Sequence, residues 1–142
     1  METTTAKQSI TIQTTVNASP EKAWEIWNTP GHITQWCTAT PEWHTPYAEN
    51  DLRVGGLYKS RMEAKDGSFG FDFAATYDAV RPNEHFTYTM GDGRKVVVDF
   101  IKEGNQTKIV QTFDAETENP IEMQRAGWQA ILDKFKTYVE AN

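Results

Sequence analysis

The side chains that could carry chemistry are few and scattered. Cys37 is the single cysteine. It follows Trp36 and has no cationic neighbour in sequence, so nothing marks it as a thiolate nucleophile. An intrachain disulfide is excluded, which fits a reducing compartment. His32, His44 and His85 show no metal-ligand spacing, because none has a second His, Cys or carboxylate placed to share a helix face. No metal and no cofactor are expected. His44, between Trp43 and Thr45, reads either as a solvent-exposed loop histidine or as a residue at a cavity mouth. Acid–base catalysis would need a carboxylate or histidine pointing inward. Asp72, Asp78 and Asp99 fall on the polar phase of their segments, and Arg61 is out of phase with Tyr58 and Met62. An inward ion pair would therefore need a bulge to shift the register. Gly55-Gly56 and Gly91-Asp92-Gly93 lack the strand–Gly-x-Gly-x-x-Gly–helix frame of a phosphate loop. No catalytic residue is expected.

Binding chemistry is better represented. Trp24, Trp27 and Trp36 fall on two short helical segments. Phe71, Phe73, Tyr77, Phe86, Tyr88 and Met90 fall on strand segments, and Trp128, Leu132 and Phe135 on the final helix. These twelve are the candidate lining of a ligand cavity. Each set has two readings, ordinary core packing or the wall of an apolar pocket. The tyrosines are the more telling members, because a phenol in an apolar site gives a ligand a polar handle.

Several elements must position these rings. Ile10, Ile12, Thr14 and Val16 alternate with polar residues and predict a first strand. Ser19-Pro20-Glu21 is a helix start: a cap, a first-turn proline and an acid at the positive helix end. Thr29-Pro30-Gly31 interrupts that helix, and a second short one is expected from His32 to Trp36. A short strand is expected over Trp43–Tyr47. Hairpins follow. Leu57–Ala64 and Phe69–Val80 flank a two-residue turn at Asp66-Gly67. Arg81-Pro82-Asn83 makes another turn. His85–Met90 and Arg94–Lys102 flank Gly91 to Gly93, and Gly104-Asn105 leads into Lys108–Ala115. Consecutive hairpins predict an antiparallel meander. Phe69, Phe71, Phe73, Ala75 and Tyr77 share one face of their strand. Asn119-Pro120 reads as a cap and first-turn proline of a long last helix. Its apolar stripe is Met123, Trp128, Ile131, Leu132, Phe135, Tyr138 and Val139, with Glu122, Gln129, Asp133, Lys136 and Glu140 opposite. Gly127 inside it costs about 1 kcal/mol against alanine, which a close approach of helix to sheet would explain.

The fold class that follows is α+β: a curved antiparallel sheet of about six to seven strands wrapped on a long C-terminal helix, with two short helices after strand 1. A chain of 142 residues, 38% apolar and 12% aromatic, suits one domain over 1–142. It can bury roughly 68–70% of its unfolded surface without staples. Residues 1–8 read as a flexible polar tail without the apolar stretch of a signal peptide. Net charge of −6 argues against nucleic acid and anionic membrane surfaces as partners. The cytoplasm is the expected compartment, and a monomer or weak homodimer the expected state.

Five stretches carry a family resemblance: Ala18 to Trp24 at the first helix with Trp36 closing the helix pair, Val54-Gly55-Gly56, Arg81-Pro82, Gly127-Trp128, and Ile131-Leu132 with Phe135. Over roughly residues 9–140 the chain resembles the helix-grip, START-like or SRPBCC superfamily. Within it, the chain resembles the single-domain form of the Activator of heat-shock-protein-90 ATPase homologue family. The eukaryotic cochaperone that names the family has a separate N-terminal domain besides, and this chain is expected to have the grip domain only. The resemblance implies the fold and leaves three functions open. The first is noncatalytic binding of a small apolar or amphipathic molecule such as a lipid. The second is a cyclase- or hydrolase-type enzyme using the same cavity. The third is a stress-response adaptor with a chaperone as partner.

Overall fold

The computed structural model describes residues 8–142. The expected tail therefore lies outside the described residues except for Gln8, whose carbonyl accepts a hydrogen bond from the Ala115 amide at 2.8 Å. The elements run β1 (Ser9–Val16), α1 (Pro20–Asn28), α2 (Pro30–Trp36), β2 (Trp43–Asn50), β3 (Leu57–Ala64), β4 (Gly70–Arg81), β5 (His85–Met90), β6 (Lys95–Glu103), β7 (Gln106–Asp114) and α3 (Ile121–Glu140). All seven strands form one antiparallel sheet in the order β1-β7-β6-β5-β4-β3-β2. β2 through β7 is the expected meander, and β1 closes its far side. The sheet curls around α3, as a helix-grip fold requires.

Local chemistry accounts for the element ends. Ser19 caps α1, its hydroxyl accepting from the Lys22 amide at 3.2 Å, and Pro20 opens the first turn. Thr29 then ends α1 and caps α2, because Pro30 is preset for a helix start. The second helix thus begins two residues before the expected His32. β2 runs on to Asn50, past the expected end at Tyr47. Pro46 is tolerated there because β2 is an edge strand and its register shifts between His44 and Tyr47. The Asp66-Gly67 turn is also wider than expected. The Ala64 amide bonds the Phe69 carbonyl, so Phe69 leaves the strand and stands in the loop, 60% exposed. Gly56 has no freedom to change, since a Cβ there would collide with the Asp51 carbonyl.

The core lies between the concave sheet face and α3. Val16, Val96, Val98, Ile109 and Phe113 from the sheet are fully buried against Ile33 of α2 and Phe135 and Val139 of α3. The strand phases agree with expectation as far as Tyr77. A bulge at Asp78 then turns Val80 inward beside Phe86. The α3 stripe needs two corrections. Met123 is 62% exposed, and Gln124 takes the buried place instead. The Gln124 amide bonds the carbonyls of Glu116 and Asn119 and accepts from the Glu116 amide, which ties down the loop before the helix. Pro120, not Asn119, occupies the cap position. The polar side of α3 is also not simply solvated. Arg125, Gln129 and Lys136 donate to the carbonyls of Thr11, Gln13 and Thr15. They cover the free edge of β1, which would otherwise offer a template for a foreign strand.

Candidate functional site

A cavity of about 390 Å³ opens between the curled sheet and α3. Its size falls in the range of small-molecule sites. The ends of α1 and α2 close one side through Trp27, Asn28, Trp36 and Cys37. The sheet contributes Tyr58 and Met62 from β3, Phe71, Phe73 and Tyr77 from β4, Phe86 and Tyr88 from β5, and Gln111 from β7. α3 contributes Met123, Gly127, Trp128 and Ile131, while Arg94, Glu116, Asn119 and Gln124 complete the lining.

Eight of the twelve expected lining residues meet here: Trp27, Trp36, Phe71, Phe73, Tyr77, Phe86, Tyr88 and Trp128. Four belong to the packed core. Trp24 is buried edge-on against Phe86 and Phe100. Phe135 is wedged between Trp27 and Trp36, with centroids 4.8 and 4.9 Å away. Leu132 is fully buried, and Met90 lies opposite Ala75 at the end of β5. These residues share the inward phase of the cavity wall but sit where the surrounding rings have already filled the space.

Sequence reasoning passed over Cys37, Tyr58, Met62, Gln111, Gly127 and Ile131 as lining. Gln111 carried a usable signal, since it is polar on the inward phase of Thr107, Ile109 and Phe113. Gly127 overturns its expected role. A Cβ there would meet nothing within 4 Å, so the glycine faces open space. No close approach to the sheet explains it.

The interior is apolar with a few neutral polar groups. Tyr58 stacks on Tyr88 with centroids 5.8 Å apart, and Tyr77 meets Tyr88 edge-on at the same separation. Tyr77 donates to Asn50 at 2.7 Å, and Asn50 in turn donates to the Asn28 carbonyl at 2.8 Å. Burial pushes the Cys37 thiol up to about 11, with Tyr58 and Lys134 offsetting it only in part. Burial also raises Tyr58 and Tyr88 well above the usual phenol value. All three are neutral at physiological pH. Ser60, between Tyr58 and Met62 on the inward phase, has a buried hydroxyl without a hydrogen-bond partner among the described residues.

The acid–base candidates point away from this space. Arg61 bonds Glu63 and Asp72 on the outer face, and Asp78 faces Lys95. His44 lies on β2 rather than in a loop and pairs with Glu63. His32 contacts the Tyr138 hydroxyl at 2.7 Å. Asp99, His85 and Thr87 form a hydrogen-bonded row at 2.7 and 2.9 Å. That row resembles a hydroxyl-activating relay, but it stands on the opposite face of the sheet from the cavity. Among the described residues no group of three His, Cys, Asp or Glu side chains could hold a metal, and no helix is long and apolar enough to cross a membrane.

A curled antiparallel sheet gripping a C-terminal helix, with a cavity between them, defines a helix-grip, START-like protein. The particular family follows from sequence. The profile described as Activator of Hsp90 ATPase homolog 1-like protein matches residues 17–140, and the chain belongs to that family. Among solved structures, the AHSA1-like protein from Aeromonas hydrophila is similar, with 44% identity over 94% of this chain and 93% of that one and a TM-score of 0.89. Chr148 from Cytophaga hutchinsonii shares 53% identity over the same fractions, with a TM-score of 0.82. CV1439 from Chromobacterium violaceum, at 21% identity over 94% of this chain and 98% of that one and a TM-score of 0.84, shares the fold. No curated protein matches the chain significantly.

Proposed function

We propose that this protein binds a small apolar or amphipathic molecule in the cavity between sheet and α3, without transforming it. The observation that carries the reading is the lining itself: aromatic walls around about 390 Å³, with charged groups confined, among the described residues, to Arg94 and Glu116. Acid–base chemistry needs a titratable group near neutrality beside the substrate. The thiol and phenols here are held far from it by burial. A hydrophobic molecule would gain roughly 25 cal/mol for each Å² of apolar surface it hides. Phe69, Phe71 and Met123, all exposed, make an apolar approach to the site, and Phe71 and Met123 also line it. An acidic chain with one buried free thiol suits action in the cytoplasm.

Native mass spectrometry of protein purified from cells should show an adduct that organic solvent removes. A fluorescent apolar probe should be displaced by fatty acids, sterols or aromatic compounds. Protein that carries no adduct and takes up no probe would defeat the reading.

The family name favours a second reading, contact with an Hsp90-type ATPase. The exposed cluster of Phe69 and Phe71 with Trp43, centroids 6.0 and 6.1 Å away, is the surface that would serve it. Adding the protein should then change the ATPase rate of the host's chaperone, and Phe69→Ser should remove the change.

A further inference from the structure

The cavity is not uniformly greasy. Two side chains in its wall have polar atoms that the protein does not use. Tyr88 is 7% exposed and Gln111 is 6% exposed, and both line the cavity. Neither the Tyr88 hydroxyl nor the Gln111 side-chain amide makes a hydrogen bond to another described residue. Ser60, beside Tyr58, shares this condition, whereas two other polar residues of the wall do not. The Tyr77 hydroxyl is engaged by Asn50, and the Gln124 amide is engaged three times by its loop. The polar atoms of Tyr88 and Gln111 are not sealed off, and covering such a donor or acceptor without giving it a partner costs on the order of 1–3 kcal/mol. Two such groups facing one empty space leave their hydrogen-bonding capacity for an occupant.

The charge around them selects its kind. A phenol and a carboxamide each both donate and accept. Arg94 is the one cation of the lining among the described residues, and its Nε is already given to Asp92 at 2.7 Å. Glu116 adds a negative charge to the same lining. Lys134, beyond Cys37, is exposed and gives its ammonium to Thr38 at 2.7 Å. A carboxylate pushed into the site would lose its water and find, among the described lining residues, only a cation already paired with Asp92, which is expensive. A pure hydrocarbon would leave both polar groups unpaired.

We propose that the ligand class of this cavity is uncharged aromatic or polycyclic molecules bearing a ketone, alcohol or phenol oxygen, received by the Tyr88 hydroxyl and the Gln111 amide, and that carboxylates are excluded. This rests on the binding reading above and narrows it. Tyr58 and Tyr88, stacked on each other, and Trp128, backed by the buried Phe113 at 3.9 Å, give the space flat walls suited to a ring system.

The test uses prodan, a neutral naphthalene ketone whose emission reports hydrogen bonding, bound to the full chain at pH 7. It is displaced by a matched set: naphthalene, acetylnaphthalene, naphthol and naphthoate. Acetylnaphthalene and naphthol should compete about tenfold better than naphthalene, the worth of one good hydrogen bond, and naphthoate should be weakest. Tyr88→Phe and Gln111→Leu should each shrink the advantage of the oxygen compounds while leaving naphthalene as strong or stronger. The rank order in the unmutated protein is informative even if a variant folds poorly. Naphthalene competing as well as naphthol would overturn the inference and leave the binding reading standing. So would naphthoate, or a fatty acid, binding tightest. Failure of every compound, prodan included, would overturn both.

Discussion

Gly127 offers the sharpest check on whether the space under α3 is real. It sits in the seventh position of a 20-residue helix and lines the cavity. Glycine in a helix interior costs about 1 kcal/mol against alanine, through the backbone freedom it loses on folding. Ordinarily a new methyl group on a core-facing helix position would meet its neighbours. Here an added Cβ has no heavy atom within 4 Å beyond its own chain neighbours and helix backbone. No steric term opposes the propensity gain. Gly127→Ala should therefore stabilise the protein by about 1 kcal/mol. In urea, with a slope of roughly 2 kcal/mol per molar for a chain of this size, the midpoint should rise by about 0.5 M. Gly127→Phe should project a ring into the same space and abolish probe binding while the fold persists. A Gly127→Ala variant destabilised by 1 kcal/mol would mean that packed atoms face this position. The cavity would then be closed at the helix, and the functional reading would lose its ground.

Other expectations follow from the same geometry. Phe135 is fully buried between Trp27 and Trp36, so Phe135→Ala should cost roughly 3–5 kcal/mol in denaturant melting, and a loss below about 1 kcal/mol would contradict that packing. Tyr77→Phe removes the donor to Asn50 at 2.7 Å and should cost about 1–2 kcal/mol, with Asn50→Ala adding much less in the Tyr77→Phe background than alone. Cys37 titrates near 11 in the folded protein, against about 8.5 in an unfolded chain. The folded state then holds a proton that the unfolded state has lost, so this contribution is complete below about pH 8.5 and disappears as pH rises towards 11. Tyr58 and Tyr88, also raised by burial, act in the same direction. Chemical melts should show stability falling across that alkaline window, and less steeply in Cys37→Ala. The thiol should also resist disulfide reagents at pH 8 until the chain unfolds; rapid labelling of native protein would show that Cys37 is open to solvent.

Much of the architecture was legible along the chain because it rests on local chemistry. Period-two alternation at Ile10 to Val16, the Ser19-Pro20 cap and the hairpin turns each depend on residues a few positions apart. So does the stripe Leu132, Phe135 and Val139. What misled were places where a distant group competes with a local signal. Asn119 looked like a cap, but Gln124 reaches back to the loop and leaves Pro120 in the cap position. Lys136 and Gln129 looked solvated, but the free carbonyls of β1, more than a hundred residues earlier, claim them. The bulge at Asp78 reverses a phase that the sequence alone continues smoothly.

By itself the sequence determined the grip: which segments are strands, which face of each is apolar, and that a long helix must cover them. It also determined that the interior would be aromatic. Only the tertiary structure decided which of those rings pack against one another and which border empty space, because filling is a property of shapes meeting across the sheet and not of any one strand. Phe135 and Trp128 have the same character in sequence, yet one is sealed between two tryptophans and the other borders the cavity. The same holds for polar residues. Gln111 and Gln124 are equally buried, and only the loop at Glu116 and Asn119 separates a satisfied structural clamp from an open hand.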